Sequence, residues 1–348
     1  MTRPTTNRPW LAVTMGDPAG VGAEVILRAA ARLAHTTRAL RLAVLGDLET
    51  MRETARRLGD VPEPVAWPGG GAPAPLNDSL AVLALSRLAA RLRRPGRPTV
   101  EGSRAAYSYI VAGARMALAG TAGALVTAPI SKEWLNRAGH RFPGHSELLA
   151  AMAGVRRWRM MFYAAGSPSV ALVTVHMALA RVPRAITAAR VYETIALLAE
   201  HLKGRMRVRR PVIAVLGLNP HAGENGLFGS EERTAIAPAI KQARRHGVDA
   251  RGPLAPDTAF ADETRLKATH GIVAMYHDQG LIGVKARSFE EAVNVTLGLP
   301  FVRTSPDHGT AYDIAGRGLA SAASMAAAIG YAWRAVNASS SRSTGAAA

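Results

Sequence analysis

An open α/β architecture resting on largely parallel sheets is what this 348-residue chain predicts, and three observations carry it. Apolar runs of strand length alternate with longer Ala/Leu/Arg-rich stretches of helical length. Several of those runs are continuously apolar, the pattern of strands covered on both faces in a parallel sheet. Polar, glycine-flanked residues recur just after successive runs, and open α/β sheets bind ligands outside the carboxyl ends of their strands.

The first strand is WLAVTMG (10–16). The turn Gly16-Asp17-Pro18-Ala19-Gly20-Val21-Gly22 leads from it into the helix AEVILRAAARLAH (23–35). This turn is not GxGxxG, so it is only weak evidence for phosphate binding. LRLAVLGD (40–47) and the helix LETMRETARRLG (48–59) follow. WPGGGAPAPLNDS (67–79) and LRRPGRPTVEGS (92–103) read as loops, the second entering the helix RAAYSYIVAGARMALAG (104–120). The strand GALVTAP (123–129) delivers Ser131 and Lys132. In Phe142-Pro143-Gly144-His145-Ser146-Glu147 a Pro-Gly turn starts a helix. Ser146 there is either an N-cap or a hydroxyl beside amides open to an anion, and the two roles are compatible.

The strands WRMMFYAA (158–165) and SVALVTVH (169–176) precede a helix over 188–204. The strand PVIAVLGLNP (211–220), a helix over 230–247 and the strand GIVAMYH (271–277) come next, the last ending in the polar turn His277-Asp278-Gln279-Gly280. Val293, Val295, Leu297 and Leu299 alternate around polar neighbours, which makes Asn294 an outward residue of a half-buried strand. The small, polar segment 337–348 reads as a disordered tail.

Bulk composition excludes several classes. The chain has no cysteine, so disulfides, thiolate catalysis and Cys-based zinc sites are absent. No run of ~18 uninterrupted apolar residues predicts a membrane span. MTRPTTNRPWLAV lacks a signal-peptide h-region, and a cytoplasmic address is expected. The formal charge of +18 suits a nucleic-acid binder, but its arginines are scattered over helices and aromatics are only 5%. Stacking platforms for bases are therefore scarce, and no nucleic-acid partner is expected. The positive field suits phosphorylated or carboxylated small molecules.

Three histidines, His176, His221 and His277, occupy strand ends. Neutral imidazole ligates zinc and other divalent ions, and three protein ligands with an open position form the usual catalytic arrangement. A lone strand-end histidine is more often a hydrogen-bonded bystander, and the spacing here is no metal signature, so the residues alone leave both readings open. Lys285 and Arg303 are either solvated charges or, beside a helix-terminal anion site, a phosphate and carboxylate clamp. The loop from Thr304 to Gly318 is rich in glycine and hydroxyls and suits the phosphate or ribose of a dinucleotide.

TMGDPAGVG, VTAPISKEWLNRAG, FPGHSELLA, GLNPHAGENGLFG, GPLAPDTAF, AMYHDQG and VNVTLGLPFVRTSPDHGTAYDIAGRG, spread over residues 14–318, resemble the 4-hydroxythreonine-4-phosphate dehydrogenases of vitamin B6 synthesis. DHGTAYDIAGRG is also similar to the HGSAPDIAG segment of isopropylmalate dehydrogenases. The resemblance implies a two-domain α/β/α fold of the isocitrate/isopropylmalate dehydrogenase kind, with the active site in the interdomain cleft and a nucleotide site lacking GxGxxG. It implies a first domain of residues 1–127 with 300–336, and a second of 128–299 that carries the dimer interface. It implies NAD- or NADP-dependent oxidation and decarboxylation of a small phosphorylated hydroxy acid, with Zn, Mg or Co. His176, His221 and His277 would bind the metal. His145, Ser146, Lys285, Asn294 and Arg303 would contact the substrate, and Asp307, His308, Gly309 and Thr310 the nucleotide. The family's active site is shared across a homodimer, and His221 is the expected crossing ligand. Asp278 and Asp257 are the candidate catalytic carboxylates, Asp278 either orienting a histidine or accepting a proton. Related dehydrogenases act on phosphorylated threonate-type acids or cis-diol carboxylates. Ser146 stands where the family more often has Thr, keeping the hydroxyl, and Ala23 where it more often has Pro.

Overall fold

The computed structural model describes residues 9–37, 39–288 and 290–340, without the side chains of Ser339 and Ser340. In chain order its elements begin β1 (Leu11–Thr14), α1 (Gly22–Thr36), β2 (Leu42–Asp47), α2 (Leu48–Leu58), β3 (Glu63–Ala66) and β4 (Ser79–Ser86). They continue α3 (Val100–Leu118), β5 (Ala124–Thr127), α4 (Lys132–Arg137), α5 (His145–Met152), β6 (Arg159–Tyr163) and β7 (Ser169–Leu172). Next come α6 (Val182–Ala185), α7 (Ala188–Arg205), β8 (Val212–Leu216), α8 (Ala237–Arg245), β9 (Asp249–Leu254) and α9 (Pro256–Ala259). The last are α10 (Glu263–Lys267), β10 (Gly271–Ala274), α11 (His277–Ser288), β11 (Val293–Leu297), β12 (Val302–Pro306) and α12 (Ala323–Ser340).

These elements form two compact units, one of residues up to Val155 with those from Leu299 onward, the other Arg156–Gly298. The first boundary lies after Val155 rather than after residue 127. The intervening α4 packs on α3, and α5 brings Ser146 to Arg303 of β12, so this segment spends its contacts on the first unit.

In the first unit the strands run β3-β4-β2-β1-β5-β12, all parallel. β1, β2, β5 and β12 are buried along their whole length, as strands covered on both faces must be. Helix α3 packs on the central strands, while α1 packs on α2 and α12, which in turn pack on the sheet. Side-chain caps start several helices where the sequence offers Asp, Ser or Thr: Asp47 accepts from Thr50 N at 2.9 Å, Thr99 from Gly102 N at 3.0 Å and Ser131 from Trp134 N at 3.3 Å. Edge strand β3 and strand β4 escape the sequence pattern, because half of β3 faces solvent and β4 follows directly on a Gly/Pro-rich loop. Residues 337–340 are not a tail. They continue α12, which packs on β12 and β5, while 341–348 lie outside the described residues.

In the second unit the order is β11-β6-β7-β10-β8-β9. β7, β10, β8 and β9 are parallel, but β6 is antiparallel to both neighbours. The reason is the link between β6 and β7, residues 164–168, too short for a parallel crossover. Phe162, Val170, Leu172, Leu216, Ile272 and Leu281 fill the core between sheet and helices. Among the described residues no helix is long and apolar enough to cross a membrane.

Two measurements test this packing. Gly16 has φ 76°, and a Cβ there would press on the Pro129 carbonyl. Gly16→Ala should therefore cost about 1–3 kcal/mol, read as a lower urea midpoint, and an unchanged midpoint contradicts the close approach. His201, on α7, has its pKa lowered from 6.5 to about 4, by burial first and then by Arg205. The folded chain resists a proton that the unfolded chain accepts, so this stability is present above about pH 6.5 and is lost as pH falls toward 4. His201→Leu should shrink the stability difference between about pH 7 and pH 5 by about 1 kcal/mol, and an identical pH dependence contradicts the burial argument.

Candidate active site

In the first unit, β1, β5 and β12 are neighbours, and their carboxyl ends hold most of its polar candidates. Arg303 is an exception, being the second residue of β12 and only 2% exposed. Its Nη2 donates to Thr127 Oγ1 at 2.7 Å, and Nη1 reaches Ser146 Oγ at 3.5 Å. Burial lowers its pKa to about 10 while the Glu147 carboxylate pulls the other way, so it stays cationic at neutral pH. A charge removed from water this far calls for anionic company.

Helix α5 begins beside it. The N-cap is Gly144, in extended backbone with no side-chain cap, so Ser146 does not cap the helix. Ser146 is buried in the first turn and turned toward Arg303 instead. A Cβ on Gly144 would lie 3.6 Å from Lys132 Cε, which places the Lys132 side chain along the start of α5. His145 Nε2 is shut off from solvent and has no hydrogen-bond partner. Burial, then Arg303, then Lys132 push its pKa well below 6.5, which leaves a neutral imidazole. Two cations, a neutral ring, two hydroxyls and a helix N-terminus, set against the one carboxylate of Glu147, leave a net positive seat suited to an anion such as a phosphate. Thr127 was not singled out by sequence, and Lys132 was noted there as a strand-end residue without a role being given to it.

In the second unit, β7, β10 and β8 are adjacent and parallel, and His176, His277 and His221 follow them in that order. The rings of His176 and His277 have centroids 5.6 Å apart, tilted by 44°. His277-Asp278-Gln279-Gly280 is the first turn of α11, not a loop. Gln279 makes that abrupt start possible: its Oε1 accepts from Met275 N at 2.7 Å and its Nε2 donates to Gly217 O at 2.8 Å, tying the ends of β10 and β8 together. His277 Nδ1 bonds Asp278 Oδ1 at 2.7 Å, which leaves Nε2 to act as a ligand. Two imidazoles sharing a tetrahedral ion at Zn–N ≈ 2 Å have centroids about 5 Å apart, so this pair fits a divalent metal. His221 is exposed, its ring centroid 6.3 Å from that of Phe228. Among the described residues, no group of three or more His, Cys, Asp or Glu in the chain could hold an ion. Among the described residues, the imidazole pair that lies close is that of His176 and His277.

The remaining candidates are dispersed within the second unit. Asp257 is exposed in α9, which packs on the turn carrying His221. Lys285 is half-buried on α11. Asn294 is the one partly exposed residue of β11, but its Oδ1 is buried without a hydrogen-bond partner.

In the turn Gly16–Gly22 four of the amides are spent on the fold itself. Asp17 N donates to Pro129 O, Gly20 N to Asp17 O and Val21 N to Thr310 O, each at 3.0 Å, and Ala19 N to Asp17 Oδ1 at 2.9 Å. The turn also supports the glycine-rich loop. Tyr312 Oη donates to Asp17 Oδ2 at 2.8 Å, and Gly316 N donates to Glu24 Oε1. Burial raises the Asp17 pKa, against the hydrogen bonds from Ala19 and Tyr312. Asp307 N donates to Ser324 Oγ at 3.0 Å, while His308 and Gly309 are exposed and Thr310 is half-buried.

The sequence family described as Pyridoxal phosphate biosynthetic protein PdxA matches residues 21–332. A 4-hydroxythreonine-4-phosphate dehydrogenase from Geobacter metallireducens is 48% identical over 330 residues, spanning 93% of this chain and 94% of that one. The crystal structure of the 4-hydroxythreonine-4-phosphate dehydrogenase from Klebsiella pneumoniae superposes with a TM-score of 0.83 at 36% identity, covering 94% of this chain and 100% of the other. A terephthalate 1,2-cis-dihydrodiol dehydrogenase from Burkholderia xenovorans aligns less closely, with a TM-score of 0.64 at 26% identity over 91% of this chain and 95% of that one. Matched along most of its length in both sequence and backbone, the chain belongs to the PdxA family of pyridoxal phosphate biosynthetic proteins.

Proposed function

We propose that the chain oxidises the secondary alcohol of 4-phosphooxy-L-threonine with NAD or NADP and releases the carboxylate as CO2, leaving 3-amino-2-oxopropyl phosphate. The names of its relatives support this reaction class. The observation that carries the substrate class is the buried Arg303 guanidinium beside Ser146, with Lys132 and a neutral His145 close by.

Arg303 and Lys132 neutralise the phosphate, and the Ser146 hydroxyl and His145 Nε2 complete its hydrogen bonds. Binding energy gained at this remote group orients the reacting carbon and favours the transition state. Asn294 Oδ1 accepts a hydrogen bond from the substrate's hydroxyl or ammonium group, and Lys285 attracts its carboxylate. When bound, the nicotinamide supplies the hydride acceptor and a divalent ion (Zn, Mg or Co) supplies positive charge near the reacting oxygens. His176 and His277 hold that ion, and Asp278 fixes the His277 tautomer by accepting from Nδ1. Asp257 is the carboxylate left for proton transfer. Asp307, His308, Gly309 and Thr310 line the nucleotide site.

The third ligand is His221 of a second copy, which makes the enzyme a homodimer. Two facts support this: the chain alone supplies two clustered imidazoles, and exposed Met177, Leu179, Leu227 and Phe228 lie close in sequence to His176 and His221. Large apolar side chains left exposed together mark interaction surfaces.

NADH formation, followed by absorbance with 4-phosphooxy-threonine, 4-phospho-threonate and a cis-diol carboxylate in parallel, tests the reading. Product release by water without any nucleotide would replace it with a metal-dependent hydrolase. Arg303→Met should raise KM for the phosphorylated substrate by about 100-fold, roughly 3 kcal/mol, and leave KM for the nucleotide nearly unchanged. An unaltered substrate KM contradicts the phosphate seat. His277→Ala should abolish turnover and bound divalent ion while the protein stays soluble, and full activity in metal-free buffer would refute the ligand assignment.

A further inference from the structure

The turn that carries His221 is left-handed. His221, Ala222, Glu224 and Asn225 have φ of 53°, 53°, 40° and 57°, and Gly223 among them has 84°. L-residues enter this region at a cost of about 1–2 kcal/mol each, and normally one at a time. A run of four non-glycine residues persists only where the surroundings over-determine it.

Helix α9, strand β9 and the turn's own backbone hydrogen bonds are part of those surroundings, and one buried carboxylate lies directly against the turn. Glu232 opens the π-helical turn Glu232–Ile236 and is 6% exposed. Its Oε1 accepts from the backbone of Leu218 and Asn219, each at 2.8 Å, and its Oε2 accepts from Asn219 Nδ2 at 2.9 Å. The same group fills the space beneath the turn: a Cβ on Gly223 would come within 2.7 Å of Oε2, and one on Gly217 within 3.2 Å of Oε1. Burial opposes its charge, but the hydrogen bonds from Asn219 and Leu218 outweigh burial and keep its pKa below the ordinary value. From the other side, Gly217 O accepts from Gln279, two residues after His277. The segment Gly217–Asn219 is thus fastened to the helix of one candidate ligand and to the carboxylate under another.

We infer that Glu232 is a positioning residue, which holds the His221 turn in the left-handed form that presents this imidazole to a divalent ion. The inference rests on the metal reading above. Glu232 touches neither ion nor substrate and acts through Leu218, Asn219 and Gly223. Outer groups that orient metal ligands are typically worth about 10–100-fold in metal affinity.

Co2+ alone, titrated into the full-length protein without nucleotide or substrate, reads both affinity and coordination through its visible absorption band. Wild-type protein should bind it. Glu232→Ala should bind about 10–100-fold more weakly with an altered band, and far-UV circular dichroism should be unchanged. Glu232→Gln, which is isosteric, should fall between, because it keeps one oxygen for the backbone N–H groups but sets an amide against the Asn219 amide. This variant carries the test if the alanine variant does not fold. The decisive comparison is non-additivity: Glu232→Ala in a His221→Ala background should produce no further loss, since both changes remove the same ligand. A merely structural carboxylate would lower the melting temperature and leave this cycle additive. Wild-type affinity and spectrum in Glu232→Ala, losses that multiply, or undiminished binding in His221→Ala would each overturn the inference. Failure of the wild-type protein to bind Co2+ would instead remove the metal reading, and the inference with it.

Discussion

A guanidinium buried in a strand is the constraint around which the first unit is arranged. Arg303 is buried within β12, held by Thr127 of the neighbouring strand and facing Ser146. Hydroxyls can orient a buried cation but cannot neutralise it. Lys132 adds to the positive potential, the neutral His145 adds none, and the Glu147 carboxylate offsets part of it. Two cations set against one carboxylate leave this cluster with a net positive charge, which is complementary to an anion.

The fold class was legible because burial writes a simple pattern. β1, β2, β5, β7 and β10 are covered on both faces and read as uninterrupted apolar runs. β9 was not legible, because Asp249-Ala250-Arg251 at a sheet edge carries little hydrophobic signal. β12 hid for the opposite reason: Arg303, Thr304 and Ser305 are polar yet fully interior, and their burial is decided by tertiary partners. The same limit applied to His277-Asp278-Gln279-Gly280. Its composition reads as a turn, and it becomes a helix start only because Gln279 finds Met275 N and Gly217 O.

The site was legible in its residue types more than in its geometry. Three histidines after three apolar runs pointed to one edge of a sheet, and β7, β10 and β8 are indeed neighbours. The residues alone did not distinguish the His176 and His277 pair, whose rings lie close, from His221, which sits on a run of positive φ that no propensity anticipates. Ser146 shows the converse: a residue type favoured at helix caps is used inside the first turn, where Arg303 outcompetes the backbone for its hydroxyl.

The glycine-rich loop after β12 is fastened to the opening turn by Val21 and Asp17, and to α1 by Glu24. Ala311, at φ 43°, sits inside this stretch and would be an unstable choice in a loose loop. A surface tied down at several points has given up its conformational freedom when the chain folds, not when a ligand arrives. Whatever settles on residues 307–310 therefore meets a rigid template, and its association approaches a docking event more than an ordering one. The motif Gly16–Gly22 thus fixes the conformation of a loop almost 300 residues further along the chain.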